Sequence, residues 1–144
     1  MQVTMRAYQT EDDYWRIRAF LREVFLLNDR RELCWQVARL DYWRWHVIEN
    51  CNICDPVKNV TFIWETPDTQ IAAVLNPEGR GEAHLQVHPG LRTSELEEEM
   101  IVVAEQQLAD PSSDGLRLLR VLADGHDATR RDILIRRGYT KSGY

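Results

Sequence analysis

Lysine is nearly absent from this chain. Of its 18 basic residues only Lys58 and Lys141 are lysines; the rest are arginines. Arginine makes forked, bidentate pairs with carboxylates, and 23 acidic residues are present to receive them. Net positive charge is missing as well. The balance is −5, which excludes a broad grip on nucleic-acid phosphates and a basic membrane-surface face. No apolar run approaches transmembrane length. The opening MQVTMRAYQTEDDYW lacks the apolar core of a signal peptide, so a cytoplasmic location is expected. Cysteines number three, Cys34, Cys51 and Cys54, and an odd count without a secretion signal points to reduced thiols rather than disulfides. Repeats, low-complexity segments and long Pro/Gly/Ser linkers are lacking, so residues 1–144 are expected to form one domain.

What is present suits a globular core: 44% apolar residues, with five Trp and five Tyr as large anchors. Residues 2–8 alternate and read as a strand. Thr10 offers a helix N-cap before the acidic turn Glu11, Asp12, Asp13, and Tyr14, Ile17, Phe20, Leu21, Val24 and Phe25 follow a helical period. A second helix is expected from about Glu32 to Glu49. Strands follow at 59–66, 71–77 and 82–89, then a helix from Ser94 to Leu108, a buried strand at 116–124 and a short helix from Ala128 to Arg137 closed by Gly138. Tyr139 to Tyr144 reads as the start of one more strand. This order implies an α/β (α+β) domain, one mixed sheet with helices on both faces.

Three groups of residues carry candidate chemistry. Along 82–88, Glu82, His84, Gln86 and His88 share one strand face, with Ala83, Leu85 and Val87 on the other. Such alternation also suits a face that is solvated or covers a helix. Trp35, Arg39, Tyr42 and His46 recur at helical spacing, with Trp43 beside them. They read either as a ligand pocket, with Arg39 stacked on an aromatic ring, or as packing. Cys51-x-x-Cys54 with His46 upstream lacks the second Cys/His pair of a structural zinc site, so no metal is expected.

Two segments sharpen the pattern: Val87-His88-Pro89-Gly90-Leu91-Arg92 and Ile133-Leu134-Ile135-Arg136-Arg137-Gly138-Tyr139. The chain resembles the GNAT acyltransferase superfamily over nearly its whole length. The first segment looks like the end of that family's fourth strand and the start of its pyrophosphate loop, and the second like its later helix ending in Gly-aromatic. The opening half is also similar to the N-terminal half of bacterial tandem GNAT proteins. The resemblance implies a GNAT-like mixed sheet whose C-terminal strand or strands are incomplete. It implies acetyl-CoA as co-substrate, with Gln86, Val87, His88, Arg92, Thr93 and Ser94 as the residues that would hold it. Glu82 or His84 would then be the general base, and Trp35, Arg39, Tyr42 and His46 would border the cleft for a small-molecule or peptide amine.

The same resemblance exposes departures. The family loop reads Arg/Gln-x-x-Gly-x-Gly/Ala, because glycines let bare backbone N–H groups approach phosphates at a helix N-terminus. Arg92 fits the first position, but Glu95 and Glu97 occupy the glycine positions. Ser94-x-x-Glu97 also reads as a capping box, in which the helix fills its own anion site. Leu134 stands where many members place a proton-donating Tyr. Arg130, Arg131, Arg136 and Arg137 could face a coenzyme phosphate or pair with acidic neighbours. Two functions remain open. One is a degenerate, weakly active or non-catalytic domain, associating as a homodimer or with a second GNAT domain; the other is an active acetyl-CoA-dependent N-acetyltransferase.

Overall fold

The computed structural model describes residues 2–31, 33–52, 54–111 and 115–142. Strand β1 (Thr4–Ala7) leads into helix α1 (Glu11–Leu27). The turn between them is fixed by Asp13, whose Oδ2 accepts the backbone N–H groups of Gln9 at 2.9 Å and Thr10 at 3.4 Å. Helix α1 buries Tyr14, Ile17, Phe20, Leu21 and Val24, the expected stripe with Phe25 only half-buried.

The second helix departs from expectation. Glu32, its expected start, lies outside the described residues, and Trp35 precedes the helix rather than riding on it. Helix α2 (Val37–Asp41) continues as a π-helical stretch, Tyr42–Asn50, with backbone bonds running i to i+5. A single helical turn, α3 (Val57–Val60), then replaces the first residues of the strand expected at 59–66.

The sheet proper is β2 (Phe62–Glu65), β3 (Ile71–Asn76) and β4 (Glu82–Val87). Every residue of β3 is buried, and so are five of the six in β4, so both sheet faces are covered. Helix α1 packs on β3, and helix α4 (Ser94–Gln107) packs on β4. Short strands β5 (Asp110–Pro111) and β6 (Arg117–Leu118) pair with one another, and β7 (Arg120–Val121) joins the main sheet before helix α5 (Ala128–Arg136). The five-stranded order is β1-β2-β3-β4-β7, antiparallel except for the parallel β4–β7 pair.

The buried strand expected at 116–124 is a correction. Leu116 and Leu118 are 64% and 61% exposed, and only Arg120 and Val121 pair with β4. Strand β7 is the edge of the main sheet among the described residues, and Leu118 lies on β6 in the separate β5–β6 pair. Residues 139–142 form no strand, and 143–144 lie outside the described residues. Gly138 closes α5 as expected, in a left-handed conformation with φ +88°.

Helix α5 docks on α4 through charge. Arg136 pairs with Glu98, Arg137 reaches Glu105 at 2.6 Å, and the Tyr139 hydroxyl donates to Glu105 Oε2 at 2.8 Å. Three of the four clustered arginines thus face carboxylates of α4, counting Arg130 below. Arg131 instead donates to the Gly125 carbonyl at 2.9 Å.

Candidate functional site

Parallel strands β4 and β7 touch only at their beginnings. Glu82 pairs with Arg120 and Ala83 with Val121, with bonds from Arg120 N to Gly81 O at 2.7 Å and from Leu122 N to Ala83 O at 3.2 Å. Beyond that point one side chain bridges the two strands. The Arg130 guanidinium, carried in on α5, donates from Nη2 to Leu85 O at 3.4 Å and from Nη1 to Leu122 O at 3.2 Å. It thereby takes up one main-chain carbonyl from each diverging strand, groups that a parallel ladder would otherwise satisfy.

The same guanidinium holds Glu97. Arg130 Nε lies 3.0 Å from Glu97 Oε2 and Nη2 lies 3.0 Å from Oε1, a forked pair. Glu97 is fully buried, at 0% exposure, and Arg130 is 8% exposed. Arg92 completes the group, with Nε 2.6 Å from Glu97 Oε1 and Nη2 2.6 Å from both oxygens of Asp127. Burial opposes the charge of Asp127, but the Arg130 backbone N–H and the Arg92 side chain outweigh it and hold this carboxyl below its ordinary range. Burial likewise opposes the charge of Arg92, and Asp127 and Glu97 raise its pKa on balance. Two arginines and two carboxylates therefore close a neutral, hydrogen-bonded cluster at the N-terminus of α4.

The capping box expected from Ser94 and Glu97 is not what forms. Thr93 is the N-cap, its hydroxyl accepting from Leu96 N at 3.1 Å, while Ser94 and Glu95 stand exposed in the first turn. Glu97 turns inward because Arg130 and Arg92 supply opposite charge there, a stronger claim on a carboxylate than one backbone N–H. The signal was present in the sequence as an acidic run on one helix and a basic run on a later one, but spacing alone does not pair them.

The other residues singled out for a coenzyme are engaged within the fold. Gln86 is buried; its Oε1 accepts from Trp35 N at 2.8 Å and its Nε2 donates to Asn76 Oδ1 at 3.4 Å. Val87 pairs with Ala73, and His88 N bonds Ala72 O at 2.9 Å. His88 Nδ1 accepts from Gly90 N at 3.0 Å, folding the loop back upon itself. A coenzyme pyrophosphate at this helix end would call on free backbone amides; there Thr93 Oγ1 accepts from Leu96 N at 3.1 Å with Glu95 in the same turn, and Arg130 lies between the two strands.

On the other end of β4, Glu78, Glu82 and His84 bring ligand-type atoms within 4.8 Å of one another. His84 is buried. Its Nδ1 accepts from the Trp35 indole N–H at 3.2 Å, so the proton of the neutral ring sits on Nε2. Among the described residues Nε2 has no hydrogen-bond partner, and it faces Glu82 Oε1 at 3.7 Å. Burial, then the charge of Arg39, lowers the His84 pKa, so the ring is neutral near pH 7. A ring whose Nδ1 lone pair is committed and whose Nε2 is protonated offers a donor to the carboxylates rather than a lone pair to a metal or a substrate proton. Glu82 itself accepts from Gly79 N at 3.0 Å.

The four residues expected along one helix face divide into two groups. Trp35 packs edge-on to Trp43 at 5.7 Å and against His84 at 5.0 Å, and Arg39 stacks over Trp35 at 4.7 Å while pairing with Glu78 at 3.0 Å. Tyr42 and His46 stand exposed, stacked on one another at 4.9 Å. Leu134, in the position many GNAT members give to tyrosine, is buried in the core. Tyr139 offers no replacement acid: burial and its bond to Glu105 hold its hydroxyl well above the ordinary range.

No family model matches this sequence, and no curated protein does. Solved structures do. A GCN5-related N-acetyltransferase from Sphaerobacter thermophilus superposes with a TM-score of 0.69 at 16% identity, over 96% of this chain and 43% of that one. A proposed phosphinothricin N-acetyltransferase superposes with a TM-score of 0.58 at 13% identity, over 99% of this chain and 85% of that one. The chain has the GNAT fold, and it spans less than half the length of the first of these proteins.

Proposed function

On the premise of that fold, we propose that this chain is a GNAT domain whose acyl-CoA cleft is occupied by its own side chains. It is non-catalytic or weakly active, and it serves as a self-associating, structural half of a tandem acetyltransferase arrangement. One observation carries the reading: the Arg130 guanidinium spans Leu85 O and Leu122 O between the diverging strands, anchored from below by fully buried Glu97. A pantetheine arm would have to displace a buried ion pair to reach the same carbonyls. Leu134 in place of a proton donor points the same way, because loss of a general acid costs roughly a hundredfold or more in rate.

The associating role rests on β7. It is an unpaired edge among the described residues, and Leu116, Leu118 and Leu122 stand exposed beside it. An open edge flanked by leucines is a surface on which another strand pairs. The greater length of the Sphaerobacter thermophilus protein accords with a second domain as the occupant.

Isothermal titration calorimetry with acetyl-CoA tests the proposal. No heat is expected at millimolar ligand. Saturable binding in the micromolar range would favour the active N-acetyltransferase instead, with Glu82 on β4 facing a small-molecule or peptide amine.

A further inference from the structure

A second constellation of side chains gathers at the end of the π-helical stretch Tyr42–Asn50. In an α-helix, residues i and i+5 point in different directions. The π-helical winding of Tyr42–Asn50 changes that, since its bonds run i to i+5, and Cys51 N donates to His46 O at 2.8 Å. The result is a convergence of three side chains from positions i, i+4 and i+5. Cys51 Sγ lies 3.4 Å from His46 Nε2, and the Asn50 amide lies 3.5 Å from His46 Nδ1. The Asn50 oxygen and nitrogen are isosteric, so a half-turn of the amide sets Oδ1 against Nδ1. His46 Nδ1–H then donates to Asn50, and the Nε2 lone pair accepts the Cys51 thiol proton. Tyr42 lies against the imidazole, with ring centroids 4.9 Å apart and planes tilted by 32°.

We propose that Cys51, His46 and Asn50 form a reactive-thiol site at which Cys51 undergoes exchange with small disulfides. A thiol, a base within hydrogen-bond reach and a third group orienting the base are the parts an activated nucleophile requires. His46 takes the Cys51 proton onto Nε2. The Cys51 sulfur attacks one sulfur of the disulfide, the new S–S bond forms as the old one breaks, and the departing thiolate recovers the proton from His46. Cys51 is oxidised to a mixed disulfide while the attacked disulfide is reduced to one thiol.

The surroundings allow approach. Cys51, His46 and Asn50 are exposed, and Trp45 and Glu49 extend a shallow open hollow beside them. The charged groups nearby are Glu49 and Arg44, paired at 2.6 Å, and Glu11 of α1, which shares Arg44 at 3.2 Å. The remaining thiols provide internal contrast. Cys54 is buried with its S–H on Glu78 O at 2.9 Å, and Cys34 lies against Val87 O; burial pushes both thiols up.

The test uses the full chain, oxidised glutathione and an aromatic disulfide as probes, and mass-spectrometric mapping of the modified cysteine. Cys51 is expected to react first. At pH 7 its rate should fall about tenfold in His46→Gln, a modest share of what a positioned base supplies, and by less in Asn50→Ala. Asn50→Asp keeps the oxygen acceptor and should retain the rate. The ratio of wild type to His46→Gln should close towards one as pH approaches about 10, where hydroxide ionises thiols unaided. Both side chains are exposed, so the variants keep the fold, and circular dichroism verifies it. Equal rates for wild type and His46→Gln at pH 7 would overturn the proposal, and so would a rate ratio that does not change with pH.

Discussion

Replacing Glu97 by alanine isolates the cluster on which the functional reading rests. The carboxylate is fully buried and neutralises Arg130, itself 8% exposed. Removing one partner of a buried ion pair leaves an uncompensated charge and costs about 3–5 kcal/mol. Two features hold the cost to the lower end. Asp127 Oδ2 stands 3.8 Å from Arg130 Nε and takes part of its charge, and Arg130 keeps its bonds to Leu85 O and Leu122 O. The expected loss is therefore about 3 kcal/mol, or about 10 °C in Tm for a chain of this size. Glu98→Ala is the control. It sits on the same helix and pairs with Arg136, but that arginine is 62% exposed, so the loss should stay below about 1 kcal/mol. Urea unfolding followed by tryptophan fluorescence measures both, with unchanged m-values confirming one transition. Replacing the pair together, as Glu97→Leu with Arg130→Met, removes both charges and should recover part of the loss, the rest remaining because Leu85 O and Leu122 O lose their donor. The reasoning fails if Glu97→Ala and Glu98→Ala cost the same, or if the paired replacement is as unstable as the single one.

The hydrogen-bonded Arg6 guanidinium holds Asp13 down to about 2. Its folded value lies below the unfolded one, so its stabilisation is fully present above pH ~4 and is lost as pH falls towards 2; about 2 kcal/mol should vanish across that window in urea midpoints, and Arg6→Met should flatten the dependence. Gly81 has φ +76°, and a Cβ there would meet Asp110 Cβ at 3.1 Å and Leu118 O at 3.4 Å. Gly81→Ala should therefore cost more than Gly138→Ala, which at φ +88° faces open space and suffers only the backbone penalty of about 1 kcal/mol. Leu118→Glu places a charge beside the β7 edge, and sedimentation velocity should then show less self-association than wild type at equal concentration, whereas an unchanged distribution would remove that edge from the interface.

Element order was legible because it is written in local periodicity. The stripe from Tyr14 to Val24 and the alternation through Glu82–Val87 need only neighbours a few residues apart to declare themselves. The misses are all non-local. Trp35 shares helical spacing with Arg39, yet it leaves the helix because Gln86 takes its backbone N–H and His84 takes its indole N–H, partners about 50 residues away. The run Leu116–Leu122 reads as buried because its composition is apolar, but burial needs a covering neighbour, and among the described residues β7 pairs with β4 on one side only. The π-helical winding that joins His46 to Cys51 leaves no mark in spacing at all. Glu97 shows the limit most clearly. Its presence at a glycine position of the resembling loop marked the coenzyme site as altered, but not what the glutamate does instead. A buried carboxylate at 97 is tolerable only with a cation to meet it. Arg130 meets it from α5, 33 residues further on, while reaching both strand carbonyls. The two residues are therefore coupled: with glycine at 97, Arg130 would keep only the more distant Asp127 at 3.8 Å, and with Arg130 gone, fully buried Glu97 would keep only the partly exposed Arg92.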